Sequence, residues 1–278
     1  LMFGFGMVLA SGCGNKTLVR VGAGNLKSLV VLIIAMAASY AMLWTPLFEK
    51  AFLPWLQAAT VNLAQHGAPS QHAGDVASAL MGMAGSRAFN TTLALLGAAG
   101  MLVFVFWSRD FRTSFDNIFG GAVVGLAVVA GWWVTGGPWG REWKDYAEMA
   151  TDIPSRVQVQ SYTFVSPMGD TVHFLLNALK PSLINFGVVA LVGVIVGSLI
   201  YALAAKSFRI EWFASKEDFV NHAIGGVLMG VGGVLSMGCT VGQAITGMST
   251  FALGSMLTFA AIIAGAVGAM KFQYWRLS

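Results

Sequence analysis

The sequence has few charged residues for its length. Only 10% of its 278 residues are Asp, Glu, Lys or Arg, whereas a soluble domain has about 25%. Hydrophobic residues make up 56% of the chain, and the mean hydropathy is +0.72. This composition excludes an ordinary soluble enzyme and predicts an integral membrane protein. The formal charge of +4 comes from cations spread among short loops, so no nucleic-acid partner is predicted.

The chain also lacks the residue patterns of several common functional sites. Its two cysteines are far apart and form no Cys-x-x-Cys motif, which excludes a disulfide framework and a redox or metal site of that type. It has no Walker A phrase, no pair of histidines placed for haem ligation and no acidic residue within a predicted span. We therefore predict no catalytic residue, no cofactor and no metal, and a protein that is not an enzyme.

The chain does contain six long stretches without charged residues. They are residues 29–44, 91–107, 118–137, 181–205, 223–239 and 251–270. A helix needs about 20 apolar residues to cross a bilayer, with allowance for shorter or broken helices. The fold class predicted is an all-α, polytopic membrane helical bundle embedded in lipid.

One phrase occurs near both ends of the chain. Gly-x-Gly-x-Val-Leu-x-x-Gly-Cys covers residues 4–13 and again 230–239, and each copy holds one of the two cysteines. We interpret the two copies as an internal duplication. A duplicated, glycine-rich, apolar unit is typical of a transporter built from repeats.

The predicted spans indicate that the repeats are inverted. Lys16, Arg20 and Lys27 crowd the loop before the first span, which places that loop in the cytoplasm by the positive-inside rule. Five spans, which begin at residues 29, 91, 118, 181 and 223, lie between the loop at Cys13 and the loop at Cys239. An odd number puts these two loops on opposite sides of the membrane. Because Leu1 lies within the first repeat, we expect part of that repeat to precede it.

These features predict one transmembrane transporter domain over residues 1–278. Its parts are a first repeat at about 1–136, an external loop at about 137–180 and a second repeat at about 181–278.

Two sets of glycines predict close packing between helices. The sets are Gly120, Gly121 and Gly125, and Gly225, Gly226 and Gly230. Each set ends in a Gly-x-x-x-Gly step, which lets two helix backbones approach closely. We interpret residues 118–136 as a degenerate copy of the repeated helix that has lost its cysteine.

Cys13 and Cys239 are the candidate functional residues. A free cysteine is usually a small buried hydrophobic residue, but both of these follow a glycine at a predicted helix break. A broken or re-entrant half-helix at membrane depth faces protein or a water-filled cavity. The unpaired N–H groups of the next half-helix attract anions, and a thiol adds a weak donor. We predict that protonated thiols relay an anion; nucleophilic chemistry at a lowered thiol pKa is the alternative.

Eight further residues are predicted to line the substrate pathway. They are Gly12, Gly14, Asn15, Lys16, Gly238, Thr240, Gly242 and Gln243. The side chains of Asn15, Thr240 and Gln243 could bind a polar substrate or act only as helix caps. Lys16 could attract anions to a vestibule or anchor the loop at the cytoplasmic surface.

The two Gly-Cys phrases resemble those of the YeeE/YedE family of bacterial inner-membrane proteins, the sulphur-transport family. The stretch from Asn185 to Gly230 is similar to the second half of that family. The resemblance implies uptake of thiosulfate across the inner membrane, with Cys13 and Cys239 as relay cysteines. It also implies a small soluble sulphur-carrier protein as cytoplasmic partner, and a further cysteine before Leu1.

The first phrase departs from the family pattern Gly-Cys-x-x-Gly. Residues 238–242 keep this pattern, whereas residues 12–16 read Gly-Cys-Gly-Asn-Lys, which implies an altered selectivity at the first site. The alternatives are a transporter of another sulphur or selenium compound, a membrane anchor, or a thiol-transfer protein that uses the cysteines covalently.

Overall fold

The computed structural model describes residues 1–82 and 87–277. The predicted domain over residues 1–278 also includes 83–86 and 278, which lie outside the described residues. The helices are α1 (Met2–Leu9), α2 (Gly14–Gly22), α3 (Leu26–Trp44), α4 (Leu47–Ala51), α5 (Leu53–Ala59), α6 (Ala73–Leu80), α7 (Arg87–Trp107), α8 (Arg109–Thr113), α9 (Phe115–Gly136), α10 (Pro138–Met149), α11 (Val165–Leu176), α12 (Phe186–Ala204), α13 (Lys216–Leu235) and α14 (Leu253–Leu277). A π-helix covers Val241–Gly247, and 3₁₀ turns cover Leu63–His66, Pro181–Leu183 and Met248–Thr250.

Six helical segments in the described part of the chain are long and apolar enough to cross a membrane. They are Leu26–Trp44, Ala88–Trp107, Phe115–Met149, Phe186–Ala204, Lys216–Leu235 and Leu253–Arg276. Each of the six charge-free stretches falls on one of these segments. The prediction of an all-α, polytopic membrane bundle is therefore confirmed.

Short polar residues set the starts of three of the spanning helices. The side chain of Asn25 accepts the N–H of Ser28 at the start of α3, 2.8 Å away. Asn185 does the same for Val188 at the start of α12, at 3.1 Å, and Ser215 caps α13. Each cap satisfies an N–H group that has no partner within its own helix, so the span begins at a fixed residue.

The helices that carry the two copies of the repeated phrase, α1 and α13, pack directly against each other. A Cβ added at Gly6 on α1 would lie 2.9 Å from the carbonyl oxygen of Gly225, early in α13. One added at Gly232, late in α13, would lie 2.5 Å from the backbone nitrogen of Phe3. The later residue of α1 therefore meets the earlier residue of α13, so the two helices run antiparallel at a distance that only glycine permits.

The first glycine of each copy makes a contact with the other half of the chain. A Cβ at Gly4 would lie 2.0 Å from the carbonyl oxygen of Ile262 on α14, and one at Gly230 would lie 2.7 Å from that of Ala35 on α3. Since α3 follows the first copy and α14 follows the second, each repeated helix packs on the helix that follows its counterpart. The predicted inverted repeat would require reciprocal packing of this kind, and the repeat itself stays a prediction.

The two glycine sets differ in their surroundings. Gly225, Gly226 and Gly230 contact α1 or α3, as the sequence predicts, whereas a Cβ at Gly120, Gly121 or Gly125 would meet no atom of the described chain within 4 Å. The close packing predicted for the first set is therefore not found. A Gly-x-x-x-Gly step permits a close approach, but it needs a facing helix to make one.

The core lies between α1, α3, α11, α13 and α14. Its buried side chains include Phe3, Val31, Met168, Met229 and Ile262. Helix α11 belongs to this core although it falls within the stretch predicted as an external loop, residues 137–180. The nine charges of that stretch give it a loop-like composition, but α11 itself holds one buried carboxylate among mostly apolar residues.

Candidate functional site

The first copy of the repeated phrase ends in a tight backbone turn. Helix α1 stops at Leu9, and Ser11 adopts the left-handed conformation with φ of 59°. The N–H of Gly12 donates to the carbonyl of Met7 at 2.8 Å, and the N–H of Ser11 donates to that of Val8 at 3.1 Å. This pair of bonds is a Schellman motif, which closes the end of a helix.

The second copy ends in the same turn. Helix α13 stops at Leu235, and Met237 is left-handed with φ of 53°. The N–H of Gly238 donates to the carbonyl of Gly233 at 2.9 Å, and the N–H of Met237 donates to that of Val234 at 3.0 Å. The two helix breaks are thus built by the same bonds at corresponding residues.

Each cysteine begins the half-helix that follows its break. The carbonyl of Cys13 accepts the N–H of Thr17 at 2.9 Å, and the carbonyl of Cys239 accepts the N–H of Gln243 at 2.8 Å. The first N–H groups of a helix have no partner within it, and they carry the positive end of the helix dipole. Both thiols therefore lie where a segment of backbone favours negative charge.

Cys239 is enclosed by backbone N–H groups. Its side chain is buried, and its Sγ accepts the N–H of Gly242 at 3.5 Å. The amide groups of Phe164 and Val241 also interact with the sulphur. The thiol forms no disulfide bond. Because N–H donors point at it, this position of the bundle favours an electron-rich group.

Cys13 is half-buried and packs against the apolar cluster that contains Cys239. The two breaks also touch, since the Oγ1 of Thr240 lies 3.8 Å from the Sδ of Met7 on α1. The fold thus brings the two predicted relay cysteines into one cluster, and Thr240 with them.

The other predicted residues of the first break have mixed positions. Gly14 is buried, and a Cβ there would lie 3.3 Å from the Cε of Met168 on α11. Gly12 is covered by the methylene groups of Lys16, whose side chain is otherwise exposed. Asn15 lies on the wall of an apolar cavity of about 650 Å³ that the second half-helix also borders. Lys16 therefore faces away from the cluster.

Gln243 closes the second break from within. Its Nε2 donates to the carbonyl of Ser236 at 2.6 Å, and the hydroxyl of Ser236 donates to the carbonyl of Gly238 at 2.6 Å. In the first break, the guanidinium of Arg20 donates to the carbonyl of Ser11 at 3.1 Å. A side chain from the following half-helix thus satisfies a carbonyl at each break, as the loss of helical bonds requires.

Gly242 lies against a hydroxyl group. A Cβ at Gly242 would lie 2.6 Å from the Oγ1 of Thr163. That oxygen is buried and has no hydrogen-bond partner among the described residues. The absence of a side chain at Gly242 therefore leaves room for an unpaired hydroxyl next to the amides around Cys239.

A cavity of about 370 Å³ opens beside the second break. Gly242, Met237, Thr163 and Arg156 all lie on its wall. Arg156 forms an ion pair with Asp170 of α11, in which its Nη2 lies 3.1 Å from Oδ1 and its Nε contacts Oδ2. The cavity therefore joins the second break to a fixed cation.

Asp170 is held by three partners. Besides Arg156, the indole N–H of Trp44 donates to Oδ1 at 3.3 Å and the amide of Asn185 donates to Oδ2 at 3.2 Å. The carboxylate is buried, and a buried charge needs a partner and hydrogen bonds of this kind. Trp44 also stacks on the ring of His173, with centroids 3.7 Å apart. This network ties α3, α11 and the start of α12 together.

Comparison with known proteins identifies the family. A family model described as sulphur transport matches residues 1–268, nearly the whole chain. The chain belongs to the sulphur-transport family, YeeE/YedE. This agrees with the resemblance carried by the Gly-Cys phrases, and it makes the protein a multi-pass membrane transporter and not an enzyme.

Two relatives of this sulphur-transport protein are named thiosulfate transporter TsuA. The one from Spirochaeta thermophila is 26% identical over 272 residues, which cover 95% of this chain and 73% of the relative. The one from Escherichia coli is 35% identical over 88 residues, which cover 31% of this chain and 24% of the relative.

Sequence reasoning about this sulphur-transport protein missed Arg156, Thr163 and Asp170. All three lie in the stretch predicted as an external loop, where charged and polar residues are expected. The sequence around Asp170 offered a signal, since this carboxylate directly follows the buried residues Val165, Met168 and Gly169 in a helical run. A carboxylate in such a run indicates a buried ion pair.

Proposed function

We propose that this protein takes up a small sulphur oxyanion, thiosulfate first, across a bacterial inner membrane. The main observation behind this proposal is the pair of helix breaks with the same hydrogen bonds, each followed by a cysteine at the start of a half-helix. The two cysteines pack in one cluster. The names of the two relatives support thiosulfate as the substrate. Another sulphur or selenium compound is the alternative substrate.

The proposed mechanism is a relay by hydrogen bonds. The backbone N–H groups around Cys239 and the first N–H groups of α2 after Cys13 stabilise an anion without a full positive charge. Thiols add weak donors while they remain protonated. A site built from such neutral donors binds an anion loosely enough to release it to the next site.

We infer that the chain is one domain with inverted repeats at about 1–136 and 181–278. The antiparallel packing of α1 on α13 and the reciprocal contacts of Gly4 and Gly230 support this arrangement. The cations of the loop from Lys16 to Lys27 support a cytoplasmic position for that loop. The segment 137–180 then enters from the external side, and its helix α11 packs in the core.

The residues beside the cysteines complete the proposed pathway. They are Gly12, Gly14, Asn15, Lys16, Gly238, Thr240, Gly242 and Gln243. Gln243 acts through the backbone carbonyl that it binds, and the exposed Lys16 acts as a cytoplasmic cation at the exit. A small soluble sulphur-carrier protein is the proposed acceptor on that side.

The test is growth on thiosulfate as sole sulphur source in a host that cannot take up sulphate. Cys13→Ala and Cys239→Ala should each abolish or sharply reduce growth while the protein still reaches the membrane. Thr113→Ala, on the exposed helix α8, is the matched control and should grow like the wild type. Full growth of the double alanine variant would show that the thiols do not carry the substrate.

A further inference from the structure

We propose that Thr163 and Arg156 form an outer subsite that receives a small oxyanion before it reaches Cys239. This subsite deepens the proposed function and rests on it. It lies in the cavity of about 370 Å³ beside the second break. A single water occupies about 30 Å³ in the liquid, so the cavity has room for a small anion with part of its hydration water.

The buried Thr163 hydroxyl differs from those of Ser161 and Thr246, which line the same cavity, in having no hydrogen-bond partner among the described residues. Ser161 donates to the carbonyl of Val128 at 2.9 Å, and Thr246 donates to the carbonyl of Tyr162 at 2.6 Å. The Oγ1 of Thr163 is a buried atom too, but it has no partner among the described residues. An unpaired buried hydroxyl is unfavourable, and a rotation of the Thr163 side chain towards the cavity would let the hydroxyl donate to an acceptor oxygen of a ligand.

Arg156 lies on the wall of the same cavity. Its side chain is 31% exposed, whereas that of Asp170 is 3% exposed. The ion pair therefore has its cationic side towards water and its anionic side inside the protein. Arg156 donates to Asp170 through Nε and Nη2. The carboxylate therefore does not use the two N–H groups of Nη1, which could donate to an anion.

The ion pair also limits how tightly the subsite can bind. Asp170 cancels most of the charge of Arg156 at long range, while it fixes the planar guanidinium in one orientation. Arg156 has a left-handed backbone with φ of 55°, which is strained for a residue with a side chain. At short range the oriented guanidinium can still donate hydrogen bonds to an oxyanion. Because Asp170 offsets its charge, the binding stays weak enough for the anion to be released to the next site.

The subsite adjoins the relay cysteine through the backbone. The amide of Phe164, the residue after Thr163, interacts with the sulphur of Cys239. Gly242 lies against the Thr163 hydroxyl on one side and donates its N–H to that sulphur on the other. An anion that leaves Thr163 therefore meets the amides around the thiol as its next donors.

The first test is Thr163→Val, which removes the hydroxyl and keeps the shape of the side chain. A hydrogen bond to a charged ligand predicts that KM for thiosulfate rises roughly tenfold, with little change in the maximal rate. Thr163→Ser keeps the hydroxyl and should retain the wild-type KM. Thr92→Val, on an exposed face of α7, is the matched control. An unchanged KM in Thr163→Val would overturn the role of Thr163.

The second test changes the ion pair without leaving an unpaired charge. The double variant Arg156→Gln with Asp170→Asn removes both charges and keeps two polar side chains of similar size. We expect its KM to rise at least as much as that of Thr163→Val. A wild-type KM in this variant, made in normal amounts in the membrane, would exclude Arg156 from the subsite.

A binding measurement separates this inference from the proposed function. Trp132 lies on the cavity wall, so thiosulfate titrated into the purified protein should change a fluorescence signal that Trp132→Phe removes. Thr163→Val should move the midpoint to higher thiosulfate. If the wild type neither binds nor transports thiosulfate, the proposed function fails; if it transports while Trp132 gives no signal and both variants keep their KM, the outer subsite alone fails.

Discussion

Replacing Gly4 by alanine tests the reciprocal packing of the two repeats. The added methyl carbon would lie 2.0 Å from the carbonyl oxygen of Ile262 and 3.0 Å from the backbone nitrogen of Ala266. Non-bonded heavy atoms prefer about 3.5 Å, so α1 has to move away from α14 by roughly 1.5 Å. Because both neighbours are backbone atoms, no side-chain rotation relieves the overlap.

The cost of this overlap can be estimated. Overpacking in a well-packed core costs about 1–3 kcal/mol and occasionally more. For a chain of this size, 1 kcal/mol lowers Tm by about 2–4 °C. A cost near 3 kcal/mol therefore lowers the Tm of the purified protein in detergent by roughly 6–12 °C.

Two further variants make the measurement decisive. Gly230→Ala should behave like Gly4→Ala, because its methyl would lie 2.7 Å from the carbonyl oxygen of Ala35. Gly121→Ala should keep or slightly raise Tm, since nothing described lies within 4 Å and alanine favours a helix by about 1 kcal/mol. Equal Tm values for Gly4→Ala and Gly121→Ala would refute the argument that the first glycine of each phrase holds the repeats together.

Three other outcomes are expected. Cys239→Ser should retain part of the thiosulfate transport that Cys239→Ala loses, because a hydroxyl still donates a hydrogen bond; equal loss in both variants would count against a relay. Mass spectrometry after exposure to thiosulfate should detect no lasting sulphur adduct on Cys13 or Cys239, whereas a stoichiometric persulfide would favour covalent transfer. Hydrogen bonds from Ser70 and Asn90 lower the pKa of Asp75 below its ordinary value of 3.8, so its stabilising effect is present above that value and is lost as the pH falls through the lowered pKa. A thermal scan should therefore show that Asp75→Asn weakens the acid sensitivity of Tm, and an identical pH profile in the variant would contradict this assignment.

The sequence predicted the spanning helices and the two breaks because both have local causes. Charge-free stretches of about 20 residues exclude other structures in a bilayer. Each break follows from a Gly-Cys phrase in which a left-handed residue, Ser11 or Met237, precedes the glycine. The side-chain bonds that close the breaks are also local. In the first break, Arg20 and Ser11 are nine positions apart, and in the second, Gln243 and Ser236 are seven positions apart. Such features can be recognised from a short stretch of sequence.

The outer part of the site could not be predicted in the same way. The burial of Asp170 depends on Trp44, Asn185 and Arg156, and Trp44 is 126 positions away in the chain. Likewise, Gly125 and Gly230 stand at equivalent places in similar phrases, yet within the described part of the chain a helix packs against Gly230 and none packs against Gly125. A Gly-x-x-x-Gly step in the sequence permits a close contact between helices, but the tertiary arrangement decides whether a second helix lies there to make it.

The reciprocal contacts of α1 and α13 have a consequence for the origin of the molecule. Gly4 packs on α14 and Gly230 packs on α3, so each half supplies the groove into which the other half fits. A single half inserted in the membrane would leave both its glycine face and its groove empty. If the two halves are inverted repeats, as proposed, a second copy inserted in the opposite orientation would fill them, and fusion of two such genes would join an upside-down homodimer into one chain.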